Sequence, residues 1–373
     1  MRVLVVNAGS SSLKLRVLDE SDEVTGTADL PAPRGVADTE AMSATLSSLG
    51  DVDAVGHRIV HGGTSFTAPV RIDDAVLAKL RALTDLAPLH QPKSLAAAEA
   101  VQRALPGLPA VACFDTAFHA TIPAAAATYA LPREWRQRWA LRRYGFHGLS
   151  HSYCSRRAAE LAGAPGDATL RIVTCHLGAG ASLAAVRGGA SVDTTMGFTP
   201  LEGLVMATRS GSVDPGLVLW LEEHAGTPPA ELAATLEHRS GLLGLAGTAD
   251  MREVVARASA GGQDARLALD VYTHRLRAGI AAMAAALGGL DLLVFTGGVG
   301  ENSPAVRTEA AAGLGFLGVR LDPGRNTARA DNGSAADREI GQPGAVRSFV
   351  IAAREDIEIA AQVRAVLADS GSA

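Results

Sequence analysis

The sequence predicts a duplicated α/β protein, and three observations predict it. An apolar strand, a turn of small residues and a second strand occur at the N-terminus and again about half a chain later. A further apolar strand runs into a glycine-rich turn that opens a helix. The chain, at 373 residues, is long enough for two domains with a substantial core. At 47% hydrophobic and 20% charged it has the balance of a folded globular protein, and its net charge of -5 argues against a nucleic-acid binder.

Residues 2–7 and 13–18 are short β-rich runs flanking Ala8-Gly-Ser-Ser-Ser12, so they read as a hairpin. The whole stretch "VLVVNAGSSSLK" (3–14) has one glycine and matches neither G-x-G-x-x-G nor the P-loop spacing. Alone, it reads equally well as a phosphate cradle or a tight hairpin. Ala75–Leu83 and Leu95–Leu105 have helical spacing, and Ala110–Phe114 is a strand ending in the polar "DTAFH". Proline, arginine and aromatic residues crowd 131–147, which suits a linker or a functional loop. Leu170–Cys175 is a strand, "HLGAGAS" (176–182) a turn, and Leu183–Val186 the strand leading back out. Ala278–Gly300 is almost wholly apolar, but Gly288-Gly289 and Asp291 break it into a buried helix and a buried strand, not a membrane span. Asp291–Phe295 then enters "TGGVGENS" (296–303) and a helix over 304–313. A glycine turn between strand and helix offers backbone N–H groups and the positive end of the helix dipole to an anion. Three such turns, two of them opening similar halves, point to a nucleotide held between two lobes.

Cys113, Cys154 and Cys175 are widely spaced with no C-x-x-C pair, which fits reduced thiols in a cytoplasmic protein better than disulfides or zinc. No signal-peptide pattern precedes the first strand. Only three of the 34 basic residues are lysine, which makes Lys14 in the opening motif more noticeable.

Seven segments, "NAGSSSLK" (7–14), "GHRIVHGG" (56–63), "FDTAFHATIP" (114–123), "RRYGFHGLSH" (142–151), "HLGAGAS" (176–182), "ATRSGSVDP" (207–215) and "FTGGVGENS" (295–303), closely resemble the acetate kinase family, in family order and nearly end to end. That family lies in the superfamily of sugar kinases, heat-shock ATPases and actin. The resemblance implies two actin-like (ribonuclease H-like) domains with an active-site cleft between them. The first comprises 1–120 and 355–373, on the acyl and metal side; the second is 121–354, on the nucleotide side. It also implies reversible transfer of the ATP γ-phosphate to acetate, a Mg²⁺ ion (or Mn²⁺), a cytoplasmic homodimer, and no membrane or nucleic-acid partner.

Residue roles follow the same resemblance. Asn7 and Glu355 would hold the metal. Glu355 stands in "REDI" (354–357), where the family has N-E-E-L, so Asp356 is the alternative acid. Arg58 would bind the acyl carboxylate, beside a small apolar patch of Val60, Leu89, Phe146 and Pro200. Arg209 and His147 would stabilise the transferring phosphoryl group, and planar guanidinium forks suit that task better than lysine. Asp115 matches the catalytic aspartate. Acetate is already ionised at neutral pH, so Asp115 would position partners more than accept a proton. The nucleotide would meet Lys14, the turn His176, Leu177, Gly178, Ala179 and Gly180, the segment Asp250, Met251 and Arg252, and the loop Gly298, Val299, Gly300, Glu301 and Asn302.

Two departures stand out. Ala179 replaces the asparagine of the family's "HLGNGAS", removing a side-chain hydrogen bond worth roughly 0.5–1.5 kcal/mol. The region between Asp19 and Gly50 is short. A propionate- or butyrate-preferring enzyme, or one using pyrophosphate, remains the alternative. An actin-like ATPase would not need Arg58, Arg209 and His147 together, and no G-x-G-x-x-G supports a Rossmann dehydrogenase.

Overall fold

The structure, a computed structural model, describes residues 1–8, 12–31, 39–86, 91–328 and 337–370. They form two compact units. The first is Met1–Ala120, Phe146–Tyr153 and Arg354–Ala373; the second is Thr121–Gly145 and Cys154–Ala353.

In the first unit, β1 (Val3–Ala8), β2 (Ser12–Leu18), β3 (Val24–Pro31), β4 (Ala54–Ile59), β5 (Val70–Arg71) and β6 (Ala110–Phe114) make one sheet. Its order is β3-β2-β1-β4-β6-β5. The first three strands are an antiparallel meander, β4 and β6 continue it in parallel, and β5 closes the edge antiparallel. The expected hairpin is present as β1 and β2, while its tip, residues 9–11, lies outside the described residues.

The continuous "VLVV" run follows from burial on both faces of the sheet. Leu4 and Val6 pack with Leu13, Leu15 and Val17 against Met42 and Leu46 of the helix Thr39–Ser48 and Ala97 and Val101 of the helix Gln91–Ala104. Val3 and Val5 face the other way, with Val111 and Cys113, onto Ile359, Ala360 and Val363 of the C-terminal helix Glu355–Ser370. Gly56 lets that helix seat: a Cβ there would stand 2.5 Å from Ile359 Cγ2 and 2.8 Å from Val363 Cγ2.

In the second unit, β7 (Arg171–Leu177), β8 (Ala181–Arg187), β9 (Ala190–Thr194), β10 (Leu292–Thr296), β11 (Arg338–Glu339) and β12 (Arg347–Val350) form a sheet of order β11-β12-β10-β7-β8-β9. Read from the meander end, this is the first sheet again, strand for strand and direction for direction. The duplication is therefore a property of the whole topology. β7 extends to Leu177, so His176 and Leu177 are strand residues and the turn itself is only Gly178–Gly180. Gly297–Asn302, read from sequence as loop, is a short helix.

The helix Gln263–Leu287 buries Ala265, Ala268, Leu269, Tyr272, Leu276, Ile280, Met283 and Leu287, a 3–4-residue spacing that makes one apolar stripe. It ends on left-handed Gly288, and β10 follows at once. Among the described residues no helix is long and apolar enough to cross a membrane.

Burial pushes the His57, His61 and His119 imidazoles of the first unit down to about 4, from an ordinary value of 6.5. Each is neutral in the fold and takes a proton more readily once unfolded. Their contribution to stability is therefore complete above pH 6.5 and is lost as pH falls towards 4. The thermal midpoint should drop by roughly 10 °C or more between pH 7 and pH 5. A midpoint that stays level across that range, followed by circular dichroism, would contradict these buried histidines.

Candidate active site

Asn7, Arg58 and Asp115 stand at the carboxyl ends of three adjacent strands, β1, β4 and β6, where open α/β sheets bind ligands. The Asp115 N–H donates to Ile59 O at 3.0 Å, which sets the height of the aspartate against the end of β4. Arg58 grips Asp115 with its fork: Nη2 to Oδ2 at 2.7 Å, and Nε to Oδ1 at 3.0 Å. Its Nη1 meets Glu355 Oε2 at 3.1 Å and Asn7 Oδ1 at 3.3 Å. Asn7 Nδ2 in turn donates to Glu355 Oε2 at 3.4 Å, joining residues 348 positions apart in sequence. Burial alone would weaken the Arg58 proton, but Asp115 and Glu355 outweigh it and hold the guanidinium above the ordinary arginine range. Glu355, not Asp356, faces Asn7; the Asp356 carboxylate is paired with Arg354 Nε at 2.9 Å. Lys14 is exposed on β2, directly across the ladder from Asn7.

His147 sits in the same unit at φ 56°, a left-handed conformation uncommon for a residue with a side chain. The next residue explains how it is held. Gly148 N–H donates to Asp115 O at 2.8 Å, and a Cβ at Gly148 would lie 2.2 Å from that oxygen. The His147 turn is thus pressed onto the Asp115 backbone by a glycine that nothing larger could replace. Phe146 is buried, its carbonyl 3.1 Å from His119 Nε2 and its ring edge-on to His61 at 5.5 Å. Val60, half-buried, follows β4 directly. Leu89 lies outside the described residues.

In the second unit a cavity of about 820 Å³ opens beyond the carboxyl ends of β7 and β10. Gly178, Ala179, Asp250, Met251, Arg252, Gly298, Val299 and Asn302 line it, bringing together three segments named from sequence. Sequence reading missed Ala207, Leu242, Val255 and Tyr272, which complete its wall. His176 is half-buried at the end of β7, and Gly180 closes the turn through its carbonyl to Gly178 N–H at 3.0 Å. Leu177 and Gly300 are buried. Glu301 turns to backbone: its Oε1 accepts from Gly297 and Ala353 N–H, each at 2.9 Å.

Arg209 stands on a loop bonded to the same turn, since Ala207 N–H donates to Ala179 O at 3.1 Å. Its Nη1 donates to Pro200 O at 3.1 Å and approaches Met206 Sδ at 3.7 Å. Burial pulls its proton affinity below the ordinary arginine value, with Glu237 opposing. Pro200 and Arg209 are therefore brought together in this unit, while Val60 and Phe146 belong to the first.

One six-stranded sheet is thus built twice, and the second copy carries at its strand ends a cavity whose lining includes Gly178 and Gly298. The chain belongs to the acetokinase family, whose model matches residues 35–361. A relative from Deinococcus deserti named acetate kinase is 47% identical, covering 99% of this chain and 98% of its own. The crystal structure of Porphyromonas gingivalis acetate kinase is similar over 98% of this chain and 99% of that one, with TM-score 0.90 and 37% identity. A propionate kinase from Francisella tularensis has TM-score 0.90 and 35% identity over the same shares of both chains.

Proposed function

We propose that this kinase transfers the γ-phosphate of ATP to acetate, reversibly, giving acetyl phosphate and ADP. The observation that carries the reading is the Asn7–Arg58–Asp115–Glu355 cluster at the strand ends, in a chain of the acetokinase family. One acetate oxygen attacks the γ-phosphorus in line, the bond from that phosphorus to the bridging oxygen breaks, and ADP leaves with the electron pair. Acetate enters ionised, so no base is required. Arg58 binds the carboxylate, held in place by Asp115. By their places in the family motifs, Arg209 and His147 are assigned to the charge on the phosphoryl oxygens, and Val60, Leu89, Phe146 and Pro200 to the methyl group. ATP occupies the 820 Å³ cavity between the 178–179 turn, Asp250–Arg252 and the 298–302 helix, and Lys14 is assigned to its phosphates by its place in the family motif.

The donor set fits Mg²⁺. Asn7 and Glu355 offer hard oxygens of the kind that ion takes. Asn7 and Glu355 would hold the ion, which when bound neutralises phosphate charge and keeps several waters.

Propionate is the second reading, because the Francisella tularensis propionate kinase is nearly as similar as the acetate kinase structure. One methylene changes selectivity by only about 1–3 kcal/mol in an apolar pocket. Measuring kcat/KM for acetate, propionate and butyrate with ATP and Mg²⁺ decides between them. Acyl phosphate formed from none of the three would refute the activity.

The protein acts in the cytoplasm as a homodimer. Val213, Leu217, Leu219 and Trp220 are 40–57% exposed, and the helix Pro215–Ala225 buries none of its residues. So much apolar surface suits a second copy. Light scattering should report twice the chain mass at micromolar concentration, and a monomer would rule this out.

A further inference from the structure

Tyr129, Arg143 and Glu202 form a bonded group in the second unit that has no part in the mechanism above. The Glu202 carboxylate accepts from Tyr129 OH and from Arg143 Nη2, each at 2.6 Å. Around it the chain 195–198 is fastened from several directions. Arg143 Nη1 donates to the Thr195 and Met196 carbonyls at 3.1 Å. Tyr129 OH accepts from Phe198 N–H at 2.8 Å. Gly197 O accepts from Tyr144 N–H at 3.0 Å. The Tyr129–Glu202 bond crosses directly over Gly197, where a Cβ would lie 1.7 Å from Glu202 Oε2 and 2.2 Å from Tyr129 OH. Any side chain at 197 would break it.

This fastened segment runs within two residues into Pro200, whose carbonyl accepts from Arg209. We propose that Tyr129, Glu202 and Arg143 are positioning residues for Arg209. They fix residues 195–198, and thereby the Pro200 carbonyl that aims the guanidinium at the phosphoryl group. None of the three is assigned a substrate contact. The inference rests on the reading of Arg209 as the arginine of phosphoryl transfer.

The test is a double-mutant cycle on kcat. Tyr129→Phe removes one hydroxyl and leaves the ring, so the fold should persist. It is expected to lower kcat about tenfold and to leave the ATP KM within about twofold. Made in an Arg209→Ala background, the same change should lower kcat no further, because the group it aims is gone. A residue that only supports the fold would lower the thermal midpoint and cost the same factor in both backgrounds. Glu202→Gln, which keeps shape but not charge, must show the same coupling and serves if Tyr129→Phe folds poorly. Additive losses, or an unchanged kcat in the single variants, overturn the proposal alone. Near-normal turnover of Arg209→Ala would overturn the reading of Arg209 as well.

Discussion

Replacing Arg209 with alanine is expected to lower kcat by about 10³–10⁵, with a much smaller change in either KM. The reason lies in its partners. Arg209 hydrogen-bonds a carbonyl and approaches a thioether, and among the described residues no carboxylate bonded to it cancels its charge. It is also partly withdrawn from water, where a cation interacts more strongly with charge that develops nearby. An interaction that strengthens only as the phosphoryl group is transferred appears in kcat. Arg209→Lys should rescue poorly, since it supplies charge without the fork. Steady-state kinetics suffice, and near-normal turnover in the alanine variant would remove Arg209 from the site.

Replacing Arg58 with alanine should raise the acetate KM strongly and lower kcat as well. Here the environment is the opposite: Arg58 is bonded to two carboxylates, and Asp115 is only 2% exposed. Removing the arginine would delete the proposed acetate contact and take the guanidinium fork away from a buried carboxylate, with Glu355 near it. Breaking such a pair costs about 3–5 kcal/mol, so the thermal midpoint should fall together with activity. Adding Asp115→Asn to Arg58→Ala should restore much of the lost stability and none of the activity. If the double variant is no more stable than Arg58→Ala, the pair contributes little to the fold.

The parts of the fold legible in sequence are those with a local pattern. The continuous apolar runs of β1, β7 and β8, buried on both faces, and the more alternating run of β2 reveal the duplication together with the two small-residue turns. β5 and β11 are invisible: two residues pairing at a sheet edge have no periodicity to read. The site divides in the same way. Asn7 and Asp115 stand at the ends of apolar strands and Arg58 in a family motif, whereas Leu242, Val255 and Tyr272 line the cavity from helices with no such signal. Glu355 and Asp356 are equivalent in composition. They separate only because successive residues point about 100° apart on a helix, so that one reaches Asn7 and the other turns back to Arg354. Tyr129 and Glu202 lie 73 positions apart, and no local signal links them.

The helix Glu355–Ser370 is made long after β1, yet it covers Val3 and Val5 of that strand, and its opening residue completes the cluster around Arg58. At about 5–20 residues per second, roughly 20–70 s separate the two on the ribosome. For that interval one face of the first sheet waits uncovered, a surface on which chaperones can act and at which aggregation can begin. A chain cut short before Glu355 is no weakened kinase: it has an open sheet and no Glu355. Activity and a sealed core therefore depend on the same helix and arrive together.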